Sequence, residues 1–319
     1  MRLIDLHCDT IWMLMREKNT NLKNNLFCVD VEKMKAAGSM AQFFACFIYL
    51  NEIASEERWE IGYQLALDMI KRGKAEFAAC SKNIALALSY GDMVTNYAKG
   101  KLSAFLTVEE GGILNSDLNR LQTLYDEGIR LITLTWNHEN CIAYPNSKDK
   151  AIMQKGLKPF GVEVVEKMNE LGMLIDVSHL SDGGFWDVLK YSKKPIVASH
   201  SNVRSLCEHP RNLSDEMIKA LAEQGGIAGV NLYPYFINKN GKATVEDIAD
   251  HVWHMYQTGG EDFIAVGTDF DGFDEGELEI AHIGEMGKLY HAVKRRGLTE
   301  RQMEKFWSGN AMRVMQQVL

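Results

Sequence analysis

Eight apolar runs of strand length, each separated from the next by a helical pattern, set the frame for this 319-residue chain. They are Arg2–Leu6, Ala41–Tyr49, Ser103–Val108, Arg130–Thr135, Met173–Val177, Pro195–Ser199, Gly226–Leu232 and Phe263–Gly267. Most are unbroken Val, Ile, Leu, Ala and Phe rather than alternating with polar residues, as parallel strands covered on both faces require. A ninth stretch, Ile84–Leu88, is either a further strand or a buried link. The helical patterns between them carry their own punctuation. Ser55–Lys71 has apolar Ile61, Leu65, Met69 and Ile70 at helical spacing. Pro159–Leu171 opens on a proline and stops at Gly172. Ser214 precedes the acidic turn Asp215–Glu216, and Thr299 with Gln302 forms a capping box for a last helix running to about Val318.

Strands alternating with helices imply a (β/α)8 TIM barrel or a doubly wound open sheet. The residues that close the strands decide for the barrel. His7 and Asp9 follow the first run, Glu110 the third, His179 the fifth, His200 the sixth and Asp269 the eighth. Only closure brings the first and eighth strands side by side, and only then do these ligand-type groups share one rim. Residues 1–319 contain no internal repeat, low-complexity tract or Gly/Ser linker, so one domain is expected. Ile11–Met40 and Asn137–Lys158 are too long for plain connections and are expected as loops over the rim.

Bulk properties remove several function classes. The balance of 35 basic and 43 acidic residues gives a net charge of -8, with no basic stripe for a nucleic-acid partner. The short Lys294–Arg296 cluster reads as a solvated helix end. No run of about 18 apolar residues exists, so no membrane span is expected. The start lacks the apolar stretch of a signal peptide. Six scattered cysteines without a CxxC pair point to reduced thiols and a cytoplasmic location.

Taken one at a time, the polar motifs have ordinary structural readings; taken in order they do not. His7 and Asp9, two apart on a strand, face one side and suit zinc or a similar divalent ion. By themselves they would be a core histidine beside a capping aspartate. In Glu109-Glu110-Gly111-Gly112 a carboxylate can bridge two cations about 3.5–4 Å apart, or the pair can be solvated acids at a turn. His179 and His200 end consecutive strands about 4.8 Å apart, close enough to share a second ion. Asp269 is placed to move a proton beside bound water, and Arg211 to fork onto a carboxylate. Ligand types at five strand ends of one barrel have no structural explanation, since burying unpaired charge is costly.

These residues, in the stretches IDLHCDT, VEEGG, LITLTWN, MLIDVSHLSD, IVASHSNVRSLCEHPRN, VGTDFDG and GNAMRVM, resemble the membrane (renal-type) dipeptidases, peptidase family M19, of the amidohydrolase-like barrels. The resemblance spans nearly the whole chain. It implies a dipeptidase with two zinc ions, other divalent metals being an option, and a homodimer. His7 and Asp9 would hold the first ion, His179 and His200 the second, and Glu110 would bridge them, because the family's acid directly precedes the Gly-Gly pair. A bridging hydroxide would attack the peptide bond, Asp269 would pass a proton to the leaving amine, and Arg211 would grip the terminal carboxylate. The family often accepts a D-residue at the C-terminal position. Where it usually carries a histidine after the fourth strand, this chain has Trp136. His138, pointing the same way in an extended segment, is expected to take that catalytic and substrate-binding role. The rivals are a TatD-like nuclease, a cyclic amidase, and a metal-binding barrel that has lost catalysis. Amidohydrolases with a carbamylated lysine need a lysine where this chain has Thr135-Trp136.

Overall fold

The structure, a computed structural model, describes residues 2–53 and 56–319. Its strands are β1 (Leu3–Cys8), β2 (Ser39–Phe47), β3 (Ile84–Leu86), β4 (Leu102–Glu109), β5 (Ile129–Thr133), β6 (Leu174–Asp176), β7 (Val197–Ala198), β8 (Ile227–Val230), β9 (Lys242–Ala243), β10 (Ile264–Val266) and β11 (Glu277–Leu278). Parallel pairing runs β2-β1-β10-β8-β7-β6-β5-β4, and a β2–β4 pairing closes the ring into the expected (β/α)8 barrel. The eight apolar runs are its eight staves, several shorter than their sequence suggests. The ninth run is a strand, but β3 joins the outer edge of β4 rather than the ring. Two-residue β9 and β11 pair in parallel as a separate patch.

Alternation along the strands sorts side chains into two apolar clusters. Ile4, Leu6, Phe43, Phe105, Leu131, Leu174, Val197, Ile227 and Ala265 fill the lower barrel, with Phe43 and Phe105 stacked 4.7 Å apart. The last helix, Asn310–Val318, closes that floor with Ala311, Val314, Met315 and Val318. Phe44, Cys46, Ala104, Leu106 and Val108 belong to the second cluster, between strands and helices. On β4 the period of two therefore turns Phe105, Thr107 and Glu109 inward.

The helix Pro159–Leu171 has the expected bounds, ended by Gly172 at φ 71°. Ser214 accepts from the Met217 N–H, and both bonds of the Thr299 capping box are made. The helix expected over Ser55–Lys71 runs instead from Arg58 to Ala79, Ser55 lying outside the described residues. Gly73 does not stop it but lets it sit close to the barrel. A Cβ there would meet Ile11 Cδ1 at 2.8 Å and Leu106 Cδ2 at 3.1 Å. The final helix is interrupted by a widened turn at Lys305–Gly309, which buries Phe306, Trp307 and Ser308. Of the two long rim segments, the first holds the helices Thr10–Arg16 and Val31–Ala36 and the second only Lys150–Met153. All six cysteines are free. No helix among the described residues is long and apolar enough to cross a membrane.

Candidate metal centre

Closure of the barrel gathers His7, Asp9, Glu109, His179, His200 and Asp269 at the C-terminal ends of the strands. His7 Nε2 lies 3.3 Å from Asp9 Oδ2, 3.3 Å from Glu109 Oε2 and 3.7 Å from Asp269 Oδ1. On the other side His179 Nε2 is 2.9 Å and His200 Nε2 3.6 Å from Glu109 Oε1, and the two Nε2 atoms are 3.1 Å apart. Each oxygen of Glu109 thus faces one histidine-bearing pair. The His7 and His200 rings stack 3.8 Å apart between the two halves.

Backbone conformation helps aim these groups. His179 and Asp269 adopt left-handed φ values of 68° and 61° just beyond their strands. Such a conformation costs a non-glycine residue roughly 1–2 kcal/mol and turns the side chain out of the strand's alternation. Gly272 leaves the space they need, since a Cβ there would stand 2.3 Å from Asp9 Oδ2 and 2.8 Å from Asp269 Oδ1.

The expectation for Glu110 is corrected by the strand register. Glu109 is the last residue of β4, paired with Phe47 and Thr133, and points inward. Glu110 follows at φ 101° and turns its carboxylate away from the cluster. It accepts from the N–H groups of Gly112 (2.8 Å) and Trp136 (3.1 Å) and from Asn140 Nδ2 (2.6 Å), fastening the loops after β4 and β5 together. His138 is also misplaced by sequence reasoning. His138 does lie beside Trp136, their rings 5.7 Å apart, but that side of the loop faces away from the cluster, and His138 Nε2 bonds to Asn51 Oδ1 at 2.9 Å. Asn137 reaches it instead, with Oδ1 3.2 Å from His179 Nδ1. Trp136 packs edge-on against Phe47 and Tyr49.

Beneath the centre lie supports that no sequence motif announced. Asp176, fully buried, accepts from Thr133 Oγ1 (2.7 Å), Ser199 Oγ (2.5 Å), Ser199 N (2.8 Å) and Ser178 N (3.0 Å). Because the Ser199 hydroxyl donates to Asp176, its oxygen is left to accept from His200 Nδ1 at 2.7 Å. Asp5 accepts from Thr268 N and Oγ1 (2.8 and 2.7 Å) and from Gln42 Nε2 (2.9 Å), locking β1 to its neighbours. Asn231 donates to Asp269 Oδ2 at 2.8 Å. Arg211, 4% exposed, donates to Ser201 Oγ (2.9 Å) and the His200 carbonyl (3.0 Å), while its Nε has no partner.

The electrostatics call for a cation. Both ring nitrogens of His7 and Asp9 Oδ1 are buried with no hydrogen-bond partner. Burial opposes a charge on Glu109, but the His7 charge and the histidine N–H donors hold its carboxyl well below the usual range. Burial and the Glu109 charge push Asp269 up to about 6 and, against His7's pull, Asp9 up to about 8. Burial, then Arg211, lowers His179 to about 4, so its imidazole is a neutral donor of a lone pair. Burial would neutralise His7 too, yet the Asp9 and Glu109 charges raise it well above its ordinary value. A proton there occupies the place where a metal ion would put its charge. His7, Glu109 and His200 form one compact group of donor atoms, and His7, Asp9 and Asp269 another. Nitrogen and carboxylate oxygen in this number fit zinc or a similar divalent ion.

Comparison with known proteins settles the lineage. The model of the family "Membrane dipeptidase (Peptidase family M19)" matches residues 1–319. The chain belongs to that family. It is a metallo-dipeptidase by membership, a hydrolase with a metal cofactor. An uncharacterised dipeptidase of Schizosaccharomyces pombe is 29% identical over 98% of this chain and 79% of its own length. Among solved structures, the family's dipeptidase AC superposes with a TM-score of 0.89 at 23% identity, covering 100% of this chain and 98% of its own. A metallopeptidase from Rhodobacter sphaeroides, solved with a phosphinate mimic of the dipeptide L-Ala-D-Ala, gives 0.90 at 22% identity, covering 100% and 99%. The fold and family expected from the sequence are both borne out.

Proposed function

We propose that this dipeptidase works with two divalent ions, zinc by its donor set, shared through Glu109. The observation that carries the reading is the two-sided Glu109 carboxylate, Oε2 toward His7 and Oε1 toward His179 and His200. His7 and Asp9 would hold one ion, His179 and His200 the other. When bound, such a pair supplies Lewis acidity to the scissile carbonyl and makes a water acidic near neutral pH. The protein's own groups do the rest. Asp269, largely buried and titrating at about 6, takes a proton at its Oδ1 side and returns it to the departing amine. Asn231 holds its other oxygen, so the carboxyl keeps one orientation through both transfers. Arg211, fixed by Ser201 and the His200 carbonyl, binds the free carboxylate of the substrate, which confines activity to very short peptides.

The test strips the purified protein of metal, restores zinc stepwise, and offers dipeptides with L- and D-residues at the second position, a tripeptide and single-stranded DNA. The mimic held by the Rhodobacter sphaeroides relative is the reason to include L-Ala-D-Ala. Dipeptide cleavage should follow zinc loading while tripeptide and DNA stay intact. Glu109→Gln should lose zinc and turnover together, whereas Glu110→Gln should keep its zinc. Wild-type zinc content and turnover in Glu109→Gln would overturn the assignment.

A further inference from the structure

Resting on that reading, the position of the second residue's side chain can be traced. Its carboxylate lies on Arg211 and its nitrogen leaves toward Asp269, so its side chain departs between the two. Both neighbours lead to the same place. Arg211 N–H donates to His209 Nδ1 at 3.2 Å, and Asn231, which holds Asp269, accepts from Tyr233 N–H at 2.6 Å. His209 and Tyr233 line one cleft of about 350 Å³, at the small end of ligand-binding pockets. Four rim segments build it: Lys148 from the loop after β5, Glu208 and His209 from that after β7, Tyr233 and Lys239 from that after β8, and Glu275 from that after β10.

The cleft holds two lysines and two glutamates, but their pairing leaves one ammonium over. Lys239 pairs with Glu208 at 3.0 Å. Glu275 faces the Tyr233 hydroxyl, which burial and that carboxylate push up to about 12. Lys148 has no anionic partner among the described residues. Its loop is nevertheless fixed, because Asn146 donates to the His179 carbonyl from both N (2.7 Å) and Nδ2 (3.1 Å). An ammonium is therefore presented to the cleft from a segment that is tied to the metal centre. Burial, then the positive charges of Arg211 and Lys148, lower His209 to about 4.

We infer that the cleft selects dipeptides whose C-terminal residue is acidic, with Lys148 receiving the side-chain carboxylate. An exposed ion pair is worth about 0.2–1 kcal/mol, and in the partial shelter of the cleft the upper end applies, a moderate preference of about fivefold over a neutral residue. The experiment measures kcat/KM for Ala-Glu, Ala-Gln and Ala-Lys, each with an L- and a D-residue at the second position, on the zinc-loaded protein. The Glu-to-Gln ratio is taken within one preparation, so any loss of overall activity cancels. It should be about fivefold in the wild type, near unity in Lys148→Met, and inverted in Lys148→Glu, with Ala-Lys gaining in the last. Equal rates for Glu and Gln, or a ratio unmoved in Lys148→Met, would overturn the inference while dipeptide cleavage itself leaves the parent reading standing. Failure to cleave any of the six would instead sink the parent reading, and this one with it.

Discussion

Replacing Asp176 by asparagine asks whether the tautomer of His200 is set from below the metal centre. The carboxylate accepts two N–H groups on Oδ1 and two hydroxyls on Oδ2. Asparagine keeps an oxygen for the two N–H donors but meets the hydroxyls with an NH2, so Ser199 must accept where it formerly donated. Its proton then goes to His200 Nδ1, and the ring proton moves to Nε2, the nitrogen that faces Glu109. Weakening four charge-assisted bonds to neutral ones costs about 1 kcal/mol each. Relief from burying a carboxylate returns several kcal/mol. Net stability should change by only about 1 kcal/mol, or roughly 1–2 °C in Tm for a chain of this length. Zinc affinity should fall about 10–100-fold, the usual effect of losing a group that orients a ligand histidine. A competition titration against a chromophoric chelator reads the affinity, and thermal unfolding of the metal-free protein reads the stability. Ser199→Ala should lower affinity similarly, and the double variant should not be additive. Additive losses, or zinc affinity within twofold of wild type in Asp176→Asn, would refute the relay.

Three other outcomes follow from the geometry. Gly272→Ala should cut turnover about 10²-fold with little change in unfolding, because the new methyl displaces Asp9 and Asp269; unchanged kinetics would show that these side chains yield without consequence. Asn137→Leu removes the partner of His179 Nδ1 and should weaken zinc about tenfold, while Asn137→Asp should restore it; equal affinities in all three proteins would dismiss the contact. His251, buried between the Val203 N–H and the Ile237 carbonyl, is pushed by burial to about 4 from its usual value near 6.5. The unfolded chain therefore binds this proton first, so stability is whole above about pH 6.5 and is lost as pH falls toward 4, by about 3 kcal/mol in all. His251→Gln should flatten urea midpoints over that interval, and an unaltered slope would exclude His251 as the source.

The barrel could be read from the chain because its staves are buried on both sides and so are written in nearly pure apolar residues. Five of the polar residues at their ends, His7, Asp9, His179, His200 and Asp269, came together as expected since closure alone dictates their shared rim. Glu109 was missed for a reason of parity. In a strand buried on both faces the apolar residues do not tell Phe105-x-Thr107-x-Glu109 from the opposite face, and the Gly-Gly pair drew attention one residue too far. Two polar signals were nonetheless present, Thr107 and Glu109 lying two apart. His138 failed because it and Trp136 share a side that faces Asn51 and an aromatic patch instead of the rim centre, in a loop that Asn140 folds back onto the Leu134 carbonyl. Asp176, Asp5 and Asn231 sit inside or beyond strands where a single polar residue carries no motif; only their three-dimensional partners reveal them.

Asn146 grips the peptide oxygen of His179 with two donors at once. The loop that carries Lys148 is therefore moored at its base to the same residue that faces Glu109, so loop and histidine share one anchor.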